Sequence, residues 1–183
     1  MEGWGFDNLI LTGFMGTGKS SVGRALAERL GWELVDFDAE LEQRFGRPVA
    51  RIFAEEGEAA FRAAEAELCR GLTPGTGLVV ATGGGTAVDP ANRTELEARG
   101  VLVCLTAEPG VLLERLRAAG TTTRPLLDGD AEGAIRRLLA ARAPAYEAIR
   151  LRVDTTGLDV DSVADRVLRL YRSEVGDGYA QSH

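Results

Sequence analysis

Residues 11–27 read LTGFMGTGKSSVGRALA, and the first half of that stretch decides the fold. GFMGTGKS, residues 13–20, fits G-x-x-x-x-G-K-[ST]. It lies between the apolar run NLILT, residues 8–12, and a helical pattern in which Val22, Leu26 and Leu30 recur at i, i+4 and i+8. Strand, glycine loop and helix in that order make the pattern a polyphosphate cradle. The glycines let backbone N–H groups turn inward, and the helix N-terminus adds its partial positive charge. Gly16, Thr17, Gly18, Lys19, Ser20 and Ser21 are the candidate nucleotide-binding residues. Lys19 is the one lysine among 21 basic residues, the rest being arginine. An ammonium is a compact charge on a slim stem that threads beside the loop to the β- and γ-phosphates, whereas a guanidinium is a wider fork. The Ser20 hydroxyl is placed for Mg²⁺.

Outward from the loop, 183 residues with 45% hydrophobic composition give one domain with a substantial core. The net charge of -7 argues against a nucleic-acid partner, which would need a broad basic surface. Cys69 lies in a charged helical pattern and Cys104 in the apolar run VLVCL, so free thiols are expected rather than a disulfide framework. The start MEGWGFDN lacks a basic and apolar leader pattern, and no apolar run approaches the ~18 residues of a membrane span. The expectation is a soluble cytoplasmic chain with no membrane partner.

NLILT, WELVDF, GLVVAT, VLVCL and LRVDT are five strand candidates separated by helical patterns. The last pattern places Val163, Val167, Leu170 and Tyr171 on one face. Repeated strand–helix–strand order implies an α/β fold: a five-stranded parallel sheet sandwiched by helices, with ligands at the carboxyl ends of the strands. Two stretches break the alternation. Residues 38–74 are too long for one crossover helix and read as a small helical insertion, to which the family resemblance given below assigns substrate binding. Residues 118–130, AAGTTTRPLLDGD, have glycines near both ends and read as a mobile lid. Residues 1–175 are expected to form a single domain and residues 176–183 a disordered tail, with the lone His183 outside any catalytic role.

The acceptor side is written in four places. DFD closes the second strand, so Asp36 can reach the Mg²⁺ shell and Asp38 can accept a proton from a substrate hydroxyl, although Asp38 could equally cap the following helix. TGGG follows the third strand, and Gly83, Gly84 and Gly85 let backbone approach a ligand. Arg142 follows Ile135, Leu138 and Leu139 on an apolar helix face, and Arg62 adjoins Phe61, which should form a small local core with Phe53. Inward guanidinium groups need anionic partners, either a substrate carboxylate or an internal salt bridge. Arg124, in the lid, could swing onto the transferring phosphoryl group. NRTE, residues 92–95, fails two positions of a guanine-reading N-K-x-D.

GFMGTGKSSVG, DFD, IFAEEGEAAFRAAE, TGGGT, TRPLL and RAPAY, taken in order and spacing over roughly residues 8–170, resemble the shikimate kinase family. The resemblance implies a P-loop kinase of the nucleoside-monophosphate-kinase type that phosphorylates the 3-hydroxyl of shikimate with MgATP, in the pathway to chorismate and the aromatic amino acids. It implies that Asp38 holds the ring hydroxyls, that Arg62 and Arg142 pair with the carboxylate, and that Gly84 and its neighbours contact the ring through backbone. Lys19 and Arg124 would stabilise the phosphoryl group, Ser20 and Asp36 would hold Mg²⁺, and Arg117 would stack on adenine. Some members carry arginines and a proline after VDT, where this chain has TGLDVD. A monomer is expected.

Rival readings are a gluconate-type sugar kinase, a nucleoside monophosphate kinase, and a non-catalytic nucleotide-binding regulatory module. The first has no need of inward Arg62 and Arg142 together with DFD, and the second needs room for a further base and phosphate. Lys19 carries the only side-chain amine in these 183 residues. An amine-selective reagent should therefore abolish activity in step with modification of Lys19, and ATP should protect, as followed by peptide mass mapping against residual turnover.

Overall fold

The computed structural model describes residues 8–120 and 130–176. NLILTG forms β1 (Asn8–Gly13), in which all six residues are buried. Asn8 and Thr12 are as buried as the apolar Leu9, Ile10 and Leu11, and a strand with no solvent-facing side must be covered on both faces. Accordingly β1 is the central strand of a parallel five-stranded sheet ordered β2-β3-β1-β4-β5, with β2 at Glu33–Asp36, β3 at Leu78–Ala81, β4 at Gly100–Thr106 and β5 at Leu151–Asp154.

Alternate side chains of β1 enter two different cores. Leu9 and Leu11 pack with Val22 and Leu26 of α1 (Lys19–Leu30) and with Val163 and Val167 of α7 (Val160–Val175). Ile10 points the other way, among Leu96 of α4 (Pro90–Glu97), Leu112 of α5 (Pro109–Ala118) and Ile135 of α6 (Ala131–Glu147). Leu9, Ile10 and Leu11 are each 0% exposed, so each contributes roughly 1.5–3 kcal/mol of burial. The α7 face includes Val163, Val167 and Tyr171 as expected, but Ala164 and Leu168 complete it, while Leu170 is only partly buried.

Residues 37–71 hold α2 (Phe37–Phe45) and α3 (Val49–Gly71), the latter broken at Gly57. Leu41, Ile52, Phe61 and Ala64 make a third, smaller core with Phe53 against it, the Phe53 and Phe61 rings lying 4.4 Å apart. The strand read as WELVDF is shorter than the run. Phe37 is already helical, because Asp36 accepts hydrogen bonds from the N–H groups of Asp38 and Ala39 and so starts α2. Asp38 is not the helix cap.

At the amino end of the sheet the buried Asn8 amide joins three segments. It donates to the carbonyls of Thr73 (2.8 Å) and Arg99 (3.0 Å) and accepts from the N–H of Leu78 (3.0 Å) and the hydroxyl of Thr76 (3.1 Å). At the carboxyl end β1 and β4 close together. A Cβ on Gly13, whose φ is +137°, would lie 2.2 Å from the Leu105 carbonyl oxygen, so only glycine fits. The expected lid arginine, Arg124, and residues 177–183 lie outside the described residues. No described helix is long and apolar enough to cross a membrane.

Cys69 and Cys104 are both free and buried, and burial pushes each thiol up to about 12. Since the thiolate is the nucleophile, both should stay unreactive toward an aromatic disulfide reagent in the native protein at about pH 8 and react fully after denaturation, read as released thiolate absorbance.

Candidate active site

The phosphate loop leaves β1 at Gly13 and enters α1 at Lys19. The Thr17 hydroxyl donates to the Phe14 carbonyl at 2.8 Å and braces the turn, and Lys19 Nζ donates to the carbonyls of Gly13 (2.9 Å) and Phe14 (3.0 Å). Lys19 therefore lies along the inner wall of the loop. Gly18 occupies the N-cap position of α1 in a left-handed conformation with no side-chain cap, which leaves the first N–H groups of the helix for an anion. Ser20 and Ser21, in the first turn, are exposed.

Asp36 serves two neighbours. One oxygen caps α2, and the other accepts from the Ser20 hydroxyl at 2.5 Å. Asp38, in the first turn of α2, faces the glycine loop after β3. A Cβ on Gly83 would lie 3.4 Å from Asp38 Oδ1, 3.0 Å from Thr86 Oγ1 and 2.4 Å from Glu65 Oε1. On Gly85 it would strike the Arg62 guanidinium at 2.5–2.8 Å. Residues 83–85 are thus the surface against which the charged side chains of α2 and α3 converge, and a side chain at Gly83 or Gly85 would push Glu65 or Arg62 from its present place.

Arg62 and Arg142 meet this loop in different electrostatic states. Arg62 lies over the Phe53 and Phe61 rings and pairs at 2.6 Å with Glu65, which is 0% exposed and also accepts from Thr86 Oγ1 at 2.5 Å. Arg62 therefore has an internal anion. Arg142 donates to the Gly84 carbonyl at 3.2 Å and lies 5.6 Å from the centre of the Phe14 ring. Among the described residues no carboxylate pairs with it. The same Gly84 carbonyl accepts the Tyr146 hydroxyl at 2.6 Å, and burial raises the Tyr146 phenol above its ordinary value, so it remains a donor.

The structure thus gathers Asp38, Gly83, Gly84, Gly85, Arg62 and Arg142 on the β2–β3 side of the phosphate loop. Arg117 is elsewhere, exposed near the end of α5. Asn92, from the failed guanine motif, is buried in α4 and donates to the Thr86 carbonyl, a structural task.

The family model for shikimate kinase matches residues 15–172. The chain belongs to the shikimate kinase family. A shikimate kinase of Desulforudis audaxviator is 51% identical over 148 residues, which are 81% of this chain and 77% of that protein. Among solved structures, shikimate kinase from Acinetobacter baumannii in complex with shikimate superposes with a TM-score of 0.84 at 37% identity, covering 92% of this chain and 94% of that one. A gluconokinase from Sinorhizobium meliloti reaches a TM-score of 0.60 at 24% identity over 97% and 99% of the two chains, a likeness of fold alone. Membership in the family makes this chain an ATP-dependent small-molecule kinase with the P-loop kinase fold.

Glu65 and Tyr146 were not singled out from sequence, yet each carried a signal. Glu65 falls midway between Phe61 and Cys69 at i+4 spacing, a carboxylate on an apolar stripe, and Tyr146 follows Arg142 by one turn on its face. The contrast between the two arginines is measurable. Arg62→Met strands Glu65 and should cost roughly 2–4 kcal/mol of stability, tempered because Arg62 is one-third exposed and Thr86 still donates to Glu65. Arg142→Met should leave the free protein's Tm within about 2 °C. Thermal melts of both variants without ligand decide between these outcomes.

Proposed function

We propose that this chain transfers the γ-phosphoryl group of ATP to the 3-hydroxyl of shikimate, releasing shikimate 3-phosphate and ADP. The observation that carries this acceptor is Arg142. A half-buried guanidinium with a carbonyl and an aromatic ring for neighbours, and no carboxylate beside it among the described residues, favours an acceptor bearing an anionic group. Arg62, held by Glu65, supplies a second donor fork from the other side of the glycine loop, and Gly83, Gly84 and Gly85 offer backbone to the ring. Asp38, adjoining Gly83, would orient the ring hydroxyls and take the proton as the 3-oxygen attacks.

On the donor side Gly16, Thr17, Gly18 and Ser21 would wrap the phosphates, Arg117 would cover the adenine, and Lys19 and Arg124 would stabilise the transferring group. The Ser20 hydroxyl and Asp36 carboxylate, 2.5 Å apart, are hard oxygen donors that fit Mg²⁺, with water and phosphate completing its shell. Bound there, Mg²⁺ supplies neutralisation of the phosphate charge. The buried free thiols favour a reducing, cytoplasmic setting for what we read as a monomer.

Release of ADP should be supported by shikimate, and not by gluconate or AMP, in a coupled assay at equal acceptor concentration. Asp38→Asn should lower turnover about 100-fold or more while the melt stays unchanged, because the helix is capped by Asp36. Near-normal turnover in that variant would remove Asp38 from the chemistry.

A further inference from the structure

The two donors that share the Gly84 carbonyl are unlike. Tyr146 lies one turn beyond Arg142 on the same face of α6, is 6% exposed, and belongs to the core that holds Ile10, Phe14 and Ile135. Its hydroxyl makes the shorter bond, 2.6 Å against 3.2 Å for Arg142 Nη1. Arg142 is half-buried and carries a charge that no carboxylate answers among the described residues. One donor is neutral and anchored in the core, and the other is charged and at the edge of it.

Gly84 is placed so that it can follow neither of them. A Cβ there would lie 3.2 Å from the Met15 nitrogen and 3.7 Å from the Gly13 carbonyl oxygen, so the residue rests on the phosphate loop. On either side of it, Gly83 and Gly85 are hemmed in by Glu65 and Arg62. Its carbonyl must be met by a donor where it stands. That need grows once an acceptor covers residues 83–85 and shuts them off from water, because a carbonyl left unpaired there costs more than an ordinary hydrogen bond returns.

We infer that Tyr146 is a positioning residue for Arg142: by holding the Gly84 carbonyl it frees the guanidinium to turn onto the anionic group of the acceptor. A carboxylate draws Arg142 off the carbonyl, the phenol stays behind as its donor, and the exchange leaves neither group unpaired. Without the hydroxyl the carbonyl retains Arg142, and the acceptor must compete with the protein's own backbone for that guanidinium. The inference rests on the shikimate reading above and adds to it a residue that acts through Arg142.

Tyr146→Phe keeps the ring and its packing and removes the hydroxyl alone. In steady-state assays on the full chain the KM for shikimate should rise about tenfold while kcat and the KM for ATP each stay within about twofold, the pattern of lost ground-state binding to one substrate. Titration calorimetry with shikimate should show the same loss. In an Arg142→Met background the Tyr146→Phe change should alter the shikimate KM by less than about twofold, since no guanidinium is left to be retained. A general loosening of α6 would not produce that non-additivity. The melt of each variant is read alongside, and a variant that melts early is titrated below its own Tm, so that folded protein is compared.

An unaltered shikimate KM in Tyr146→Phe would overturn the inference. So would equal rises for shikimate and ATP, or an undiminished loss in the Arg142→Met background, each of which assigns Tyr146 to packing. Should the wild-type chain fail to bind and phosphorylate shikimate, the acceptor reading falls and takes this inference with it, an outcome seen before any variant is compared.

Discussion

The burial of β1 on both faces is the constraint to which the site is referenced. Its side chains enter two cores, its backbone is hydrogen-bonded on both edges, and its end at Gly13 lies so close to β4 that no side chain can be accommodated. The phosphate loop therefore leaves the sheet from a point with no freedom to shift. The Asn8 amide secures the opposite end of the same strand through four hydrogen bonds. With origin and direction set, the strand order places Asp36, Asp38 and the glycine loop on one side of the cradle and the ends of β4 and β5 on the other.

The two sides are stabilised by different physics. Around residues 83–85, charged groups from α2, α3 and α6 converge, and a fully buried carboxylate, Glu65, holds one arginine and one threonine in place. Burying such a charge costs free energy unless it is paired and hydrogen-bonded, and Glu65 is both. Around Thr155 there is no carboxylate network among the described contacts of Arg115 of α5, only carbonyls and hydroxyls spanned by one guanidinium. The β2–β3 side thus holds compensated and uncompensated charge within a few residues of each other, whereas the β4–β5 side is joined by hydrogen bonds to neutral groups.

Much of this was legible because it depends on local spacing. The cradle, the five apolar runs and the α1 face each need only a period or a short motif, and the arginine on the α6 stripe was visible as an exception to its neighbours. What escaped depends on meetings through space. Asp36 and Asp38 are two residues apart and chemically identical, so nothing local says which one begins the helix, and the run Trp32–Phe37 overshoots the strand by one residue at each end. Whether Arg62 answers a ligand or an internal carboxylate stayed open because Glu65, the buried partner, is indistinguishable by type from Glu58, which also pairs with Arg62 from the surface, and from the exposed Glu67. Arg115 and Thr155 meet from far apart in the chain, and Tyr146 meets Gly84 only once α6 is docked.

The register of β1 also has a bearing on synthesis. Leu9 pairs with Val79 on one edge and with Val101 on the other. As the chain emerges from the ribosome, this apolar segment has no strand to bond with until Val79 has followed it, and its second edge stays open until Val101 is available. Through that interval NLILT is a sticky, half-made surface that invites chaperones or a neighbouring nascent chain. The segment that organises the finished enzyme is therefore, for much of translation, its greatest exposure to misassembly.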